Sequence, residues 1–226
     1  MASRAEVRRQ VLGCRRCSLH AQCSRPVPFH SSGKVVIVGE APGETEDRLG
    51  QPFVGKSGQL LRKVVDEVGI GSTKVGYMNA VSCAPHRTPT PDEVEACRPN
   101  LDAQLAVLQP SYVVLVGQVA LRAFRPDLRI AWMHGRPMER DLGWGNIILW
   151  TVYHPAAALR NKAMEEALWR DFFALTYHMV HNSWPQTCCV CKGEQWVWDG
   201  DGVVWCQKHS PEQGQGRLEM EVETVR

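Results

Sequence analysis

The sequence lacks the features that mark membrane and secreted proteins. No apolar run approaches the roughly 18 to 20 residues that a membrane-spanning helix needs. The N-terminal stretch MASRAEVRRQ has no apolar segment of the kind found in secretory signal peptides. An acidic cluster that could hold a catalytic metal is also missing, which argues against a nucleotide-hydrolysing α/β enzyme. We therefore expect an intracellular, cytoplasmic protein.

Charge of one sign is not in large excess, because 26 basic and 24 acidic residues leave a net charge of +2. The distribution is uneven, since residues 211–226 carry four Glu and two Arg. The rest of the chain therefore holds 24 basic and 20 acidic residues, a net charge of +4. A mildly basic body suits contact with a polyanion.

Short β-branched runs alternate with helical patterns over most of the 226 residues. Strands are predicted at 34–38, 112–116 and 147–152, with a weaker one at 74–78. Helices are predicted at 5–12, 57–68, 91–108 and 163–180. The alternation predicts a three-layer α/β/α fold around a central four-stranded parallel sheet.

The pattern breaks near residue 182, which divides the chain into three parts. Residues 1–182 are expected to form the α/β domain and residues 183–210 a separate small module. Residues 211–226 are rich in Gly, Gln and Glu and are expected to form a loose tail.

The small module carries the spacing of a metal site. Nine cysteines in an intracellular chain favour metal ligands over disulfides. The expected ligands form two pairs separated by fourteen residues: Cys188, Cys191, Cys206 and His209. Asp-Gly-Asp-Gly lies between two tryptophan-rich runs, as in a hairpin, so a zinc ribbon that binds Zn²⁺ is expected. Cys189 is an alternative ligand, and the ribbon could contact DNA, contact a protein or only stabilise the fold.

A second set of cysteines lies in the α/β domain. Its members are Cys14, Cys17, Cys83 and Cys97. Four thiolates suit either zinc or an iron–sulfur cluster, and the spacing alone leaves both open. Cys23 is left over and is expected to be a buried thiol.

Polar side chains follow the ends of three predicted strands. The first strand leads into the Gly/Pro-rich loop that begins Gly39-Glu40-Ala41. Asn79 ends the next strand, and Tyr153 and His154 follow the last. Because α/β sheets bind ligands at the carboxyl ends of parallel strands, these groups are expected to share one rim.

Five sequence blocks in this order resemble those of family 4 uracil-DNA glycosylases, the iron–sulfur members of their superfamily. They are GEAPGETED, QPFVGKSGQLL, the segment 79–83, RTPTPDEVEACRP and HPAAALR. The resemblance implies that the cysteines of the α/β domain hold a 4Fe–4S cluster, whereas the zinc ribbon lies outside the usual family pattern. It implies a DNA-repair hydrolase that releases uracil from single- or double-stranded DNA as a monomer at the nucleoid.

The resemblance also implies roles for the residues of the rim. Uracil must flip out of the DNA stack to be reached. Phe53 would then stack on the pyrimidine, and Asn79 would read its O4 and N3–H edge. His154 would donate a hydrogen bond to uracil O2, and Glu40 would stabilise the departing sugar or position water.

Neighbouring loop residues are expected to shape the pocket. Gly39 and Ala41 would contact the base, and Ala41 stands where other branches of the superfamily carry an activating Asp. Water activation would therefore rest on Glu40. Glu44 and Asp47 are expected to cap the following helix.

DNA contacts are expected outside the pocket. Lys56, where the family often has Arg, and Ser57 open a helix that could receive a phosphate. Leu159 and Arg160 would enter the DNA stack or groove. His86 and Arg87 follow a shortened loop and are expected to face DNA.

Two alternatives to the glycosylase remain open at this point. In a related group of uracil-DNA binders a nucleophilic His occupies the place of His86, so a covalent adduct is one alternative. This chain lacks that group's loop extension and reads GEAPG where the group has GEQPG. The other alternative is a DNA-binding scaffold without turnover.

Overall fold

A mixed sheet of five strands forms the centre of the protein in a computed structural model. The structure describes residues 2–71 and 75–181 and the backbone of 196–198 and 204–206. The strands are β1 (Val35–Gly39), β2 (Val75–Asn79), β3 (Tyr112–Val116), β4 (Pro137–Asp141) and β5 (Asn146–Val152). Their order is β2-β1-β3-β5-β4, and all neighbours are parallel except β4, which is antiparallel to β5.

The four predicted parallel strands are confirmed, and β4 is an addition. Within β4 only Met138 is buried. An edge strand with one half-covered face carries little apolar patterning, so its sequence did not predict it.

Helices cover both faces of the sheet. They are α1 (Arg4–Leu12), α2 (Glu44–Leu49), α3 (Lys56–Glu67), α4 (Pro91–Leu108), α5 (Gln118–Phe124), α6 (Ile130–Met133), α7 (Pro155–Ala158) and α8 (Lys162–His181). One core joins α1, α4 and α5 to alternate sheet residues such as Val36 and Val38. The other joins α3 and α8 to Val35 and Ile37. Alternate residues of a strand point to opposite faces of the sheet, and each face packs against its own set of helices. The expected three layers are therefore confirmed.

The start of α4 shows how local sequence sets an element. The Thr90 hydroxyl accepts a hydrogen bond from the Glu93 backbone N–H, and the Glu93 carboxylate accepts one from the Thr90 backbone N–H. Pro91 occupies the first helical position. This reciprocal capping box satisfies N–H groups that a helix start leaves unpaired.

The C-terminal hairpin is described only as backbone. Strand β6 (Trp196–Trp198) pairs antiparallel with β7 (Val204–Cys206), and Trp196 lies opposite Cys206. The predicted hairpin is thus confirmed. Its second strand begins one residue later than the sequence pattern predicts. The proposed zinc ligands Cys188, Cys191 and His209, the alternative Cys189 and the tail 211–226 lie outside the described residues, and of Cys206 only the backbone is described.

Candidate active site at the carboxyl ends of the strands

The ends of β1 and β2 bring three predicted pocket residues together. Gly39 and Asn79 are direct partners in the parallel register. A Cβ on Gly39 would lie 2.4 Å from Asn79 Oδ1 and 2.6 Å from Phe53 Cζ. Only a residue without a side chain therefore allows Phe53 and the buried Asn79 to approach this closely.

Phe53 is held in an unusual backbone conformation. Its φ is 56°, in the left-handed region, a conformation that costs a non-glycine residue roughly 1–3 kcal/mol. Arg62 donates from Nε to the carbonyl oxygen of Phe53 at 2.9 Å and from Nη2 to that of Pro52 at 3.2 Å. The same guanidinium lies 3.9 Å from the ring centroid of Tyr77, whose ring is 5.9 Å from that of Phe53. Arg62 thus fixes the loop that presents Phe53.

Gly58 in the first turn of α3 packs against the same loop. A Cβ on Gly58 would lie 2.3 Å from the carbonyl carbon of Phe53. Sequence reasoning predicted neither the packing of Gly58 against this loop nor the Arg62–Tyr77 contact, because these groups lie on a helix and a strand whose patterns indicate only burial.

Glu46 is a buried carboxylate that sequence reasoning also missed. Its Oε1 accepts hydrogen bonds from the backbone N–H groups of Val54 at 3.0 Å and Gly55 at 2.7 Å. Asp47, expected to cap α2, instead accepts from the Ser24 backbone with both carboxylate oxygens at 3.0 Å. The residue before the helix, Gly43, has no side chain to accept a cap bond, and the helix begins at Glu44. Glu46 and Asp47 therefore anchor backbone segments outside α2.

His154 caps the short helix that follows β5. The backbone N–H of Ala156 donates to His154 Nδ1 at 3.1 Å, so Nε2 carries the ring proton. Burial lowers the pKa of His154 to about 4, Arg160 acts in the same direction, and Glu46 opposes them. Gly117, with a φ of 90°, lets the ring sit close, because a Cβ there would be 3.1 Å from His154 Cβ. The result is a neutral imidazole whose Nε2 carries the proton.

Glu40 follows β1 directly and is half-buried. Burial raises the pKa of its carboxyl group. Its backbone carbonyl accepts from Val81 N–H at 3.0 Å, which continues the β1–β2 ladder beyond the strands. The side chain of Ala41 packs against the group around Leu19, Cys83 and Cys97. The Glu40–Ala41 segment therefore joins the pocket to the cysteine region.

The buried pair of His134 and Asp171 lies beside the end of β5. His134 Nδ1 lies 3.0 and 3.1 Å from the two carboxylate oxygens of Asp171, whose pKa is raised by burial. Trp150 Nε1 donates to the Asp171 carbonyl at 3.1 Å, and the His134 ring centroid is 4.4 Å from that of Tyr153. These contacts hold the residue that precedes His154.

The predicted DNA-contact residues differ in their environments. Lys56 is exposed at the start of α3 beside half-buried Ser57, and Leu159 (54% exposed) and Arg160 are exposed just after α7. His86 is also exposed, with a φ of 53°.

Arg87 is engaged by the protein itself. Its guanidinium forms a two-pronged ion pair with Glu93, at 2.7 and 2.8 Å. This pairing lowers the pKa of Glu93 to about 2. A phosphate would have to compete with Glu93 for Arg87.

The four predicted cluster ligands line one pocket, which we call the cysteine pocket: Cys14, Cys17, Cys83 and Cys97. None of them forms a disulfide. In the described part of the chain no three His, Cys, Asp or Glu residues converge closely enough to hold a single metal ion. The thiols of a 4Fe–4S cluster need not converge in this way, because each binds a different iron. These four side chains could therefore hold such a cluster. Cys23, the leftover cysteine, is half-buried at the edge of the same region.

Comparisons with known proteins agree with this geometry. A family model described as the uracil DNA glycosylase superfamily matches residues 28–173, which span all five sheet strands and every pocket residue from Gly39 to His154. The chain is 37% identical over 165 residues to a type-4 uracil-DNA glycosylase of Thermotoga maritima, covering 70% of this chain and 84% of that protein. It is 34% identical over 181 residues to one from Archaeoglobus fulgidus, covering 76% and 91%. A third, from Sulfurisphaera tokodaii, is 33% identical over 182 residues, covering 76% and 83%.

Among the described residues, no helix combines the length and apolar character that crossing a membrane requires.

Proposed function

This chain belongs to the uracil-DNA glycosylase superfamily, and we propose that it is a DNA-repair enzyme that removes uracil from DNA. The reaction is hydrolysis of the N-glycosidic bond of deoxyuridine, which releases uracil and leaves an abasic site. The observation that carries the proposal is the close approach of Phe53 and Asn79 across Gly39, together with the neutral imidazole of His154 at the end of β5.

Base recognition rests on Phe53 and Asn79. The flipped base would stack on the Phe53 ring. The Asn79 amide can accept from N3–H and donate to O4 of uracil. Cytosine presents an acceptor at N3 and a donor at N4, so it would leave buried polar groups without partners, which a pocket of this kind penalises strongly.

Departure of the base depends on His154. When the bond between N1 and C1′ breaks, its electron pair stays with uracil, and negative charge develops on O2. The Nε2–H of His154 donates a hydrogen bond there, and a preorganised donor of this type typically lowers the barrier by roughly 3–4 kcal/mol. Because the ring is already neutral, it acts as a hydrogen-bond donor and keeps its proton.

Glu40 acts on the sugar side of the bond. Its carboxylate would stabilise the cationic character at C1′ and orient the water that adds to this carbon, and the proton of the water passes to Glu40. Burial alone accounts for the raised pKa of this carboxyl group, with no contribution from a hydrogen bond or a charge among the described residues, so the carboxylate is available to the substrate. Ala41 offers no second carboxylate, which leaves water activation to Glu40.

DNA binding involves the exposed residues around the pocket. We propose that Lys56 and Ser57 receive a phosphate at the start of α3 and that Leu159 and Arg160 fill the space left by the flipped base. The substrate is uracil-containing DNA, single- or double-stranded, bound by one copy of the chain. Because the proposed substrate is DNA, we propose that the enzyme acts at the nucleoid.

We further propose that Cys14, Cys17, Cys83 and Cys97 bind a 4Fe–4S cluster that cross-links segments distant in sequence. The cluster would tie the segment after α1 to β2 and α4, and no step of the reaction needs it to transfer electrons. The C-terminal hairpin is proposed to belong to a zinc site of Cys188, Cys191, Cys206 and His209, with DNA or a protein as its partner.

An oligonucleotide with one labelled uracil tests the function, with the products read on alkaline and on SDS denaturing gels. We expect alkali-labile cleavage and no shifted protein band. A heat-stable shifted band that disappears in His86→Ala would favour the covalent alternative. Binding without either product would favour the scaffold and overturn the proposal.

Variants sharpen this test. His154→Ala is expected to lower the single-turnover rate about 10²–10³-fold, the usual cost of removing one such donor. His181→Ala, the same substitution at an exposed position of α8, is the matched control and should retain the wild-type rate.

A further inference from the structure

Asn100 presents an unsatisfied amide group at the cysteine pocket. It lies on α4 one turn after Cys97, is 1% exposed, and lines the same pocket as the four cysteines. Its Nδ2 is buried and has no hydrogen-bond partner among the described residues. Leaving a buried donor unpaired costs roughly 1–3 kcal/mol, so we expect this nitrogen to have a hydrogen-bond acceptor in the functional protein.

The other end of the Asn100 amide is already used. Gln10 of α1 donates from Nε2 to Asn100 Oδ1 at 3.2 Å. Gln104, one turn further along α4, donates from Nε2 to the backbone carbonyl of Asn100 at 3.1 Å and accepts at Oε1 from the Phe29 backbone N–H at 2.7 Å. With Oδ1 held by Gln10, the N–H₂ end of the amide is left for the pocket.

The four cysteines of the pocket suggest that the acceptor is a sulfur atom. Sulfide and thiolate sulfurs accept hydrogen bonds, and such bonds help to set the reduction potential of iron–sulfur clusters. A neighbouring contact already has this form, because the Ser82 backbone N–H donates to Cys97 Sγ at 3.3 Å.

We propose that Asn100 Nδ2 donates a hydrogen bond to a sulfur of the 4Fe–4S cluster and thereby raises the reduction potential of the cluster. This inference rests on the cluster proposed above for the four cysteines. A donor withdraws electron density from sulfur, so it stabilises the more negative, reduced cluster more than the oxidised one. Gln10 is a positioning residue, because it holds the amide with its donor toward the pocket.

The test uses the full-length protein, purified without oxygen and with its iron and sulfide quantified. Asn100→Leu keeps the approximate shape and removes the donor, and Asn100→Asp replaces the donor with a carboxylate oxygen. Gln104→Met is the matched control, since it removes a buried amide of α4 that does not line the pocket. Gln10→Met, at an exposed position, releases the amide and places no new group in the pocket.

Protein-film voltammetry measures the expected effect. Asn100→Leu should lower the equilibrium constant for one-electron reduction by up to about tenfold, which corresponds to about 59 mV toward more negative potential. Asn100→Asp should shift it further, Gln10→Met less, and Gln104→Met not at all. Fe–S stretching bands in resonance Raman spectra should respond to H₂O/D₂O exchange in the wild type, and part of this response should vanish in Asn100→Leu.

The failures of the two proposals can be told apart. The role of Asn100 would be overturned if the cluster-loaded wild type, Asn100→Asp and Gln10→Met had equal reduction potentials and equal deuterium shifts. The cluster proposal would still stand. A wild-type protein without stoichiometric iron and sulfide would overturn the cluster, and the role of Asn100 with it.

Discussion

The backbone N–H of Ala156 donates a hydrogen bond to Nδ1 of His154 at 3.1 Å. A ring nitrogen that accepts carries no proton, so this bond places the proton on Nε2. Burial keeps the ring neutral near pH 7 by lowering the pKa of His154 to about 4. The turn that begins α7 thus determines which ring nitrogen of His154 carries the proton, and burial determines the charge of the ring.

The protonation state of His154 gives the first prediction. Nitrogen-15 NMR of histidine-labelled protein should show His154 as the neutral Nε2–H tautomer throughout about pH 6 to 8. A histidine in this region that titrates with a midpoint near its unfolded value of about 6.5 would contradict the assignment.

The same depressed pKa predicts a dependence of stability on pH. The unfolded chain binds a proton at His154 below about pH 6.5, whereas the folded protein resists protonation down to pH about 4. The neutral His154 therefore contributes to the stability of the folded protein above the unfolded pKa of about 6.5, and this contribution is lost as the pH falls toward about 4. The unfolding free energy of the wild type should fall more steeply over this window than that of His154→Gln. If the unfolding free energies of the wild type and His154→Gln fell in parallel with pH, the depressed pKa of His154 would be wrong.

Gly39→Ala tests the close approach at the base pocket. The new Cβ would meet Asn79 Oδ1 at 2.4 Å and Phe53 Cζ at 2.6 Å, so one of them must move. Because displacements of about 1 Å can cost 10²-fold in rate, we expect at least that loss in single-turnover excision. Gly13→Ala is the control, since a Cβ there makes only ordinary contact, at 3.4 Å from the Arg9 carbonyl oxygen. Wild-type activity in Gly39→Ala would place the base elsewhere.

Glu46 is expected to act by positioning the Phe53 loop. Glu46→Ala leaves the N–H groups of Val54 and Gly55 without their acceptor, which should cost about 1–3 kcal/mol of stability. The same variant should weaken uracil binding, seen as a raised KM. Glu46→Gln retains an oxygen that can accept and should recover most of both losses. If Gln proves as damaging as Ala, the charge of Glu46 matters more than its hydrogen bonds.

Lys56 and Arg87 should differ in their contribution to DNA binding. Log K for duplex DNA falls with log salt by about 0.9 per phosphate contact, so Lys56→Ala should reduce this slope by about 0.9. Arg87→Ala should leave the slope unchanged, because its guanidinium pairs with Glu93 at 2.7 and 2.8 Å. Fluorescence anisotropy at several salt concentrations measures both. A reduced slope in Arg87→Ala would mean that the ion pair opens on DNA.

Much of the fold could be predicted from local patterns. The apolar runs of β1 and β3, the Thr90 capping box and the amphipathic helices all depend on residues close in sequence. The order of the strand ends also predicted that Gly39, Asn79 and His154 share a rim. The half-exposed edge strand β4 could not be predicted, because its few buried side chains produce no pattern.

The sequence by itself determined the family and the layers and predicted the residues of a base pocket, since motifs and periodicity are properties of neighbouring positions. Only the tertiary structure decided that Arg62 fixes the Phe53 loop, that Glu46 holds its backbone, and that Asn100 turns an unpaired donor toward the cysteines. It also decided that Arg87 pairs with Glu93. The physical reason is that desolvation and hydrogen-bond partners arise where segments distant in sequence meet, and the energies of those contacts leave no local signal in the chain.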